Sequence, residues 1–169
     1  MLPAGPTILD EVANAAFFFG LMSAMLEEIG NPRDRIDFDE VKGNFYAAAR
    51  HGLKAQFTWV DGETVTAAKL ICDRLLPLAR EGLRHVGVDE GDIARYLGVI
   101  EARVRSNRTG AQWMLDSFAA LSKDYEASSD MVERRILGAM LEHQRAGTPV
   151  HEWPLCEHTA IREREDEGR

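Results

Sequence analysis

Residues 53–66, LKAQFTWVDGETVT, are where the hydrophobic pattern of the chain changes period. Leu53, Ala55, Phe57 and Trp59 alternate with Lys54, Gln56, Thr58 and Val60, which predicts a strand with one apolar face. Asp61-Gly62 is a tight-turn signal, and Glu63 to Val65 leaves room for only a short return strand. A two-stranded ribbon by itself is marginal in water, so its apolar side has to lie on helices or extend another sheet. On both sides of this stretch the apolar residues recur at helical spacing. The reading is therefore a mainly α chain of about six helices with one short β-hairpin.

Upstream, Thr7 followed by Asp10 resembles a capping box, and helical periodicity runs from Ile8 to Ile29 before Gly30-Asn31-Pro32 breaks it. Val12, Ala16, Phe19, Met22, Met25, Leu26 and Ile29 mark its expected inner face. Asp37 with Glu40 opens a second helix, Phe38 to about His51, with Gly52 at the position that favours a left-handed cap. Downstream, Thr66 caps a helix over about 67–86, in which Pro77 predicts a kink or restart. Asp89 with Asp92 starts a fourth helix that stops near Ser106-Asn107. Thr109 caps a fifth, Gly110 to about Glu126, and Ser129 a sixth, Asp130 to Ala146, closed by Gly147-Thr148-Pro149. Residues 1–156 read as one helical domain and 157–169 as a charged, solvated tail.

The 169 residues are one domain's worth of sequence, with 45% hydrophobic residues to form a core. A formal charge of -8, from 20 basic against 28 acidic residues, argues against a nucleic-acid partner and against an anionic membrane surface. The most apolar stretch, Ala15 to Leu26, is bounded by acids and shorter than the roughly 20 apolar residues that span a bilayer. It reads as a core helix. Cys72 and Cys156, without C-x-x-C spacing, fit free thiols in a reducing cytoplasm.

Chemistry-bearing residues gather in three places. Arg103, Arg105 and Arg108 precede the helix start at Gly110, where free backbone N–H groups favour an anion. Arg105, Asn107, Arg108, Thr109 and Gly110 are therefore candidates for binding a carboxylate or phosphate, with Gly110 permitting close approach. Pairing of these arginines with nearby acids is the structural alternative. Arg50 and His51 end the second helix, where the dipole favours cations in any case, and Asn44 falls within about 120° of Arg50 at 3.6 residues per turn. Near the C-terminus His143, His151, Cys156 and His158 are all zinc-ligand types, but their spacing matches no common finger and no metal site is predicted. Trp153-Pro154-Leu155 reads as an apolar clasp fastening the tail to the core.

Asn44-Phe45-Tyr46-Ala47-Ala48-Ala49-Arg50-His51-Gly52, Trp59-Val60-Asp61-Gly62, Leu75-Leu76-Pro77-Leu78-Ala79-Arg80 and Asn107-Arg108-Thr109-Gly110-Ala111-Gln112, in that order, resemble the C-terminal part of the glutamate-cysteine ligase-like carboxylate-amine ligases, which are related to glutamine synthetase. Such enzymes use ATP and magnesium to convert a carboxylate to an acyl phosphate that an amine attacks. Their fold is an antiparallel sheet flanked by helices, and the acidic metal-binding strands lie in an N-terminal part to which nothing here corresponds. The resemblance implies a C-terminal portion or subunit that is inactive alone. It would lend an arginine-lined wall to an acidic small-molecule substrate or phosphate. Arg50 and Arg108 would be the catalytic contacts, and Asn44, His51, Arg105, Asn107, Thr109 and Gly110 the binding ones. ATP and Mg2+ would be held by an N-terminal ligase core, the partner, or the chain would act as a homo-oligomer. The alternative is a non-catalytic helical protein-interaction module.

Overall fold

The computed structural model describes residues 5–31, 34–123 and 128–156. Among these, six helices and one antiparallel hairpin form. They are α1 (Ile8–Ile29), α2 (Phe38–His51), β1 (Gln56–Thr58), β2 (Thr64–Thr66), α3 (67–85), α4 (Glu90–Arg105), α5 (Gly110–Leu121) and α6 (Ser129–Ala146). The chain is mainly α, as its hydrophobic pattern predicts. The predicted tail lies outside the described residues, and α5 closes at Leu121 with Ser122 as its C-cap, earlier than the expected end near Glu126.

Local signals act where the sequence places them. The Thr7 hydroxyl accepts from the Asp10 N–H at the start of α1, and Asp37 with Glu40 forms a full capping box on α2. The cap of α6 is Ser128, one residue earlier than expected. The hairpin differs more. β1 and β2 pair with Phe57 opposite Val65 and Thr58 opposite Thr64, and Val60–Gly62 form a 3-10 turn between them. Only Gly62 takes a positive φ (76°), whereas the two-residue turn expected at Asp61-Gly62 would require positive φ at both residues. Ala55 and Val65 are buried, so the ribbon's apolar side lies on helices.

Helix α3 starts as Ala67–Leu70, widens through a π turn at Ile71–Leu75 and continues as Leu76–His85. Pro77 has no N–H to give the preceding turn, and the widened turn just before it accommodates that loss without ending the helix. Gly87 then takes φ 82°, while the N–H groups of Val88 and Gly87 bond the carbonyls of Leu83 and Arg84, a Schellman closure.

The contact between α1 and α3 decides how α1 is oriented. A Cβ built on Gly82 would lie 2.0 Å from the Gly20 carbonyl oxygen, and one on Gly20 would lie 2.4 Å from that of Ala79. Backbones this close admit only small side chains, so α1 turns Ala13, Gly20 and Ala24 inward. Leu9, Ala16, Phe17 and Leu21 pack at the margins, and Ile93, Leu97, Ile100 and Val104 of α4 complete this core. The face expected from hydrophobic periodicity is thereby corrected: Val12, Phe19 and Met22 are exposed. The side chains of Leu26 and Ile29 lie outside what is described. The window Ile8–Met25 is also apolar and long enough, by length and composition, to cross a bilayer, contrary to the shorter span read from sequence. Its tight seat on α3 nevertheless ties it into this domain.

Replacing Gly82 with alanine tests that seat. A mid-helix Gly→Ala change gains up to about 1 kcal/mol of helix propensity. Overpacking costs about 1–3 kcal/mol, more where backbone must move. Gly82→Ala should therefore destabilise by about 2 kcal/mol in urea unfolding, whereas Gly138→Ala on α6, with nothing near its Cβ, should be neutral or stabilising.

A second core joins α5, α6 and the segment after them: Trp113, Leu121, Val132, Ile136, Val150, Trp153 and Cys156 are buried together. Helix α2 belongs to neither core. It buries no residue and packs on β1, leaving Phe38, Val41, Phe45 and Tyr46 exposed.

Candidate functional site

The predicted anion site before α5 is a structural junction. Helix α4 ends with Asn107 in the left-handed region (φ 51°), and the N–H groups of Asn107 and Arg108 bond the carbonyls of Val104 and Arg103. This is the Schellman pattern, and asparagine tolerates its φ better than most residues. Arg105 pairs with Glu101 one turn back at 2.8 Å. Thr109 caps α5 by accepting from the Gln112 N–H at 3.1 Å. A Cβ on Gly110 would sit 2.9 Å from Pro6 Cγ, so the glycine makes room for the segment leading into α1. Arg108 Nη1 donates to the Trp153 carbonyl at 2.6 Å.

Arg103 reaches furthest. Its Nη2 donates to Asp10 Oδ1 at 2.7 Å and its Nη1 to Asn14 Oδ1 at 2.7 Å. Asp10 is 0% exposed, and its Oδ2 also accepts from the Thr7 hydroxyl (2.8 Å) and the Val150 N–H (3.2 Å). One carboxylate thus joins the start of α1, the last turn of α4 and the C-terminal segment. In the sequence Arg103 stands out only as part of a basic cluster and Asp10 only as a capping signal. Their pairing across 93 positions leaves no local trace in the chain.

The segment 149–156 is a clasp. Trp153 stands edge-on to Trp113 (centroids 5.0 Å apart) and stacks on His143 at 4.9 Å. The two indole N–H groups donate to Pro154 O and Thr148 O, and the Cys156 N–H donates to the Ser117 hydroxyl. His143 is therefore a packing element. Among the described residues no group of three or more His, Cys, Asp or Glu is placed to hold a metal ion; His158 lies outside them.

The second candidate group is on α2. Both halves of the Asn44 amide are engaged by β1: Nδ2 donates to Thr58 O (2.6 Å) and Oδ1 accepts from Thr58 N–H (2.9 Å). The side chain acts as a one-residue third strand. Arg50 and His51 line an open concavity of about 510 Å3 with Tyr46, Ala47 and Ala49. Arg50 is exposed, and among the described residues no carboxylate pairs with it. No hydrogen bond or ion pair among the described residues links this group to the Arg108 junction.

A larger concavity, about 820 Å3, lies along α3 and α4 and is lined by Cys72, Arg80, Glu81, Arg84, His85 and Glu101 among others. Its cations and carboxylates balance, and Arg84 is held by Glu90. Burial pushes the Cys72 thiol up, against the opposing effect of Arg105. The same cause raises Cys156, opposed by its bond with Ser117, so both thiols stay protonated at neutral pH and are poor nucleophiles.

The arrangement defines a helical domain whose polar residues mostly build junctions, with Arg50, which no carboxylate among the described residues pairs, on its least covered helix. The chain belongs to glutamate-cysteine ligase family 2, whose family model matches residues 1–141. The clasp lies beyond the matched residues. No curated protein and no solved structure matches the chain.

Proposed function

We propose that this chain is the C-terminal helical portion, or a subunit, of an ATP-dependent carboxylate-amine ligase of this family, and that it is inactive alone. Among the described residues no carboxylate set is suited to Mg2+, so in this proposal metal and nucleotide would be held by a sheet-bearing core. The observation that carries the proposal is helix α2. At roughly 100° per residue, Glu40, Asn44 and Ala47 share the side facing the hairpin, while Phe38, Val41, Phe45 and Ala48 form an apolar seam turned about 110° away. Nothing described in this chain buries that seam. By the same count Arg50 lies about 160° round the helix from that seam, on the side of the concavity it lines with Tyr46, so a core must reach past the seam over that side of α2 to exclude water from Arg50 and His51; Arg50 would then stabilise an anionic substrate or the transferring phosphoryl group. Arg108 would need its remaining donors for such a contact, since Nη1 is held by the clasp. The two free thiols support a reducing cytoplasmic setting.

The junction favours the second reading, a non-catalytic interaction module, because Arg105, Asn107, Arg108, Thr109 and Gly110 each have a structural task. The two readings part on ligands. Mixed with the sheet-bearing half of such a ligase, ATP, Mg2+ and glutamate, the chain should yield ADP only in the mixture. Arg50→Ala should lower that rate by about 100-fold or more, the scale for loss of a positioned charge, with the fold unchanged by circular dichroism. Arg108→Ala is a poorer probe because it also loosens the clasp. If calorimetry finds no ligand binding even in the mixture, the interaction-module reading stands instead.

A further inference from the structure

Helix α1 carries a second apolar stripe that its seat on α3 leaves outside. Ile8, Val12, Ala15, Phe19 and Met22 recur at alternating spacings of four and three, the pattern of a helix-pairing seam. At 100° per residue they fall within about 80° of azimuth, centred about 140° round the helix from Ala13, Gly20 and Ala24. Ile8 is 80%, Phe19 61% and Met22 57% exposed, and Val12 and Phe18 are exposed beside them. The seam is about 21 Å long at 1.5 Å per residue.

We propose that this stripe pairs with the same stripe of a second copy of the chain, antiparallel, with Ala15 at the two-fold axis. Charge and size both favour that occupant. Glu11 is the one charged residue beside the stripe between Ile8 and Met25, so no partner of opposite charge is called for. In the antiparallel pair the two Glu11 side chains stand about 12 Å apart along the axis, whereas a parallel pair would set them side by side. The helix dipoles also oppose favourably. Ala15 is the smallest member of the seam and sits at its middle, so the backbones approach closely there. Ile8 then meets Met22, and Val12 meets Phe18 and Phe19. With side chains that bury up to 150–250 Å2 each, the exposed fractions amount to roughly 600 Å2 per copy. The pair would bury at most about 1,200 Å2 in all, which reaches the lower end of stable specific interfaces. The pairing does not rest on the ligase reading, because it uses neither α2 nor any ligand.

Sedimentation of the full chain without ligands, from about 1 to 100 μM, spans the affinities expected of an interface this size. It should show a species of about twice the 18.9 kDa chain mass. Phe19→Glu places two charges in the seam and should weaken association at least about 100-fold, the loss typical of a central anchor, with helix content unchanged. Ala15→Cys should form an intermolecular disulfide in air beyond that of the wild-type chain, and Ile8→Cys should not, because residue 8 faces residue 22 of its partner. A wild-type chain that stays monomeric throughout overturns the proposal. So does a dimer that survives Phe19→Glu with its helices intact, or one that cross-links through Ile8→Cys and not Ala15→Cys.

Discussion

Asp10→Ala should cost the domain about 3–5 kcal/mol, the loss expected when one partner of a buried ion pair is removed and the other is left uncompensated. The carboxylate is fully buried and accepts from Arg103, from the Thr7 hydroxyl and from the Val150 N–H, so its removal orphans three donors at once. At about 2–4 °C per kcal/mol for chains of this size, the melting temperature should fall by about 6–20 °C. Arg103→Ala should be comparable, and the double variant should lose less than the sum, because the two residues act as one unit. Glu11→Ala removes a neighbouring acid that is exposed and should change stability by less than about 0.5 kcal/mol. A loss below 1 kcal/mol for Asp10→Ala, in thermal or urea unfolding, would show that the carboxylate does not hold these three elements together.

Trp153→Ala should cost a similar amount, about 3–5 kcal/mol, by emptying the middle of the second core. The indole is 0% exposed, touches Trp113 and His143, and its N–H donates to Thr148 O at 2.6 Å. Trp153→Phe separates the two contributions. It keeps most of the packing and should lose about 1–3 kcal/mol for the carbonyl left unpaired. Because Trp153 also presents its own carbonyl to Arg108, the alanine variant should loosen the junction before α5 as well as the clasp. Hydrogen exchange at the start of α5 reads this directly: faster exchange there in Trp153→Ala is expected, and unchanged exchange would separate the clasp from the junction.

Much of the framework is legible in the sequence. The bounds of α1 and α2 follow from Thr7, Asp37, Gly30 and Gly52, because caps act on backbone groups within a few residues. The hairpin was visible in the change of period at Leu53. Its turn is not fixed by the local sequence, since Asp61-Gly62 permits a two-residue turn without requiring it. The inner face of α1 departs from the hydrophobic pattern for a different reason. Hydrophobic periodicity points the largest apolar residues inward, but Gly20 and Gly82 bring two backbones together and leave space only for alanine and glycine. The tasks of Arg103, Arg105 and Arg108 had the same character. Three arginines before a helix start look alike in sequence, while their acceptors lie at Asp10, Glu101 and Trp153.

What the chain settles locally, then, is where helices begin and stop, that one ribbon interrupts them, and the family to which their order belongs. Those properties depend on side chains acting over a turn or two. Which arginines hold the junctions, which side of α1 meets solvent, and that a single carboxylate ties the first helix to the last described segment all emerge from contacts between distant positions. Burial and charge compensation are properties of neighbours in space, and the same residue types can satisfy them in many arrangements until the helices are packed.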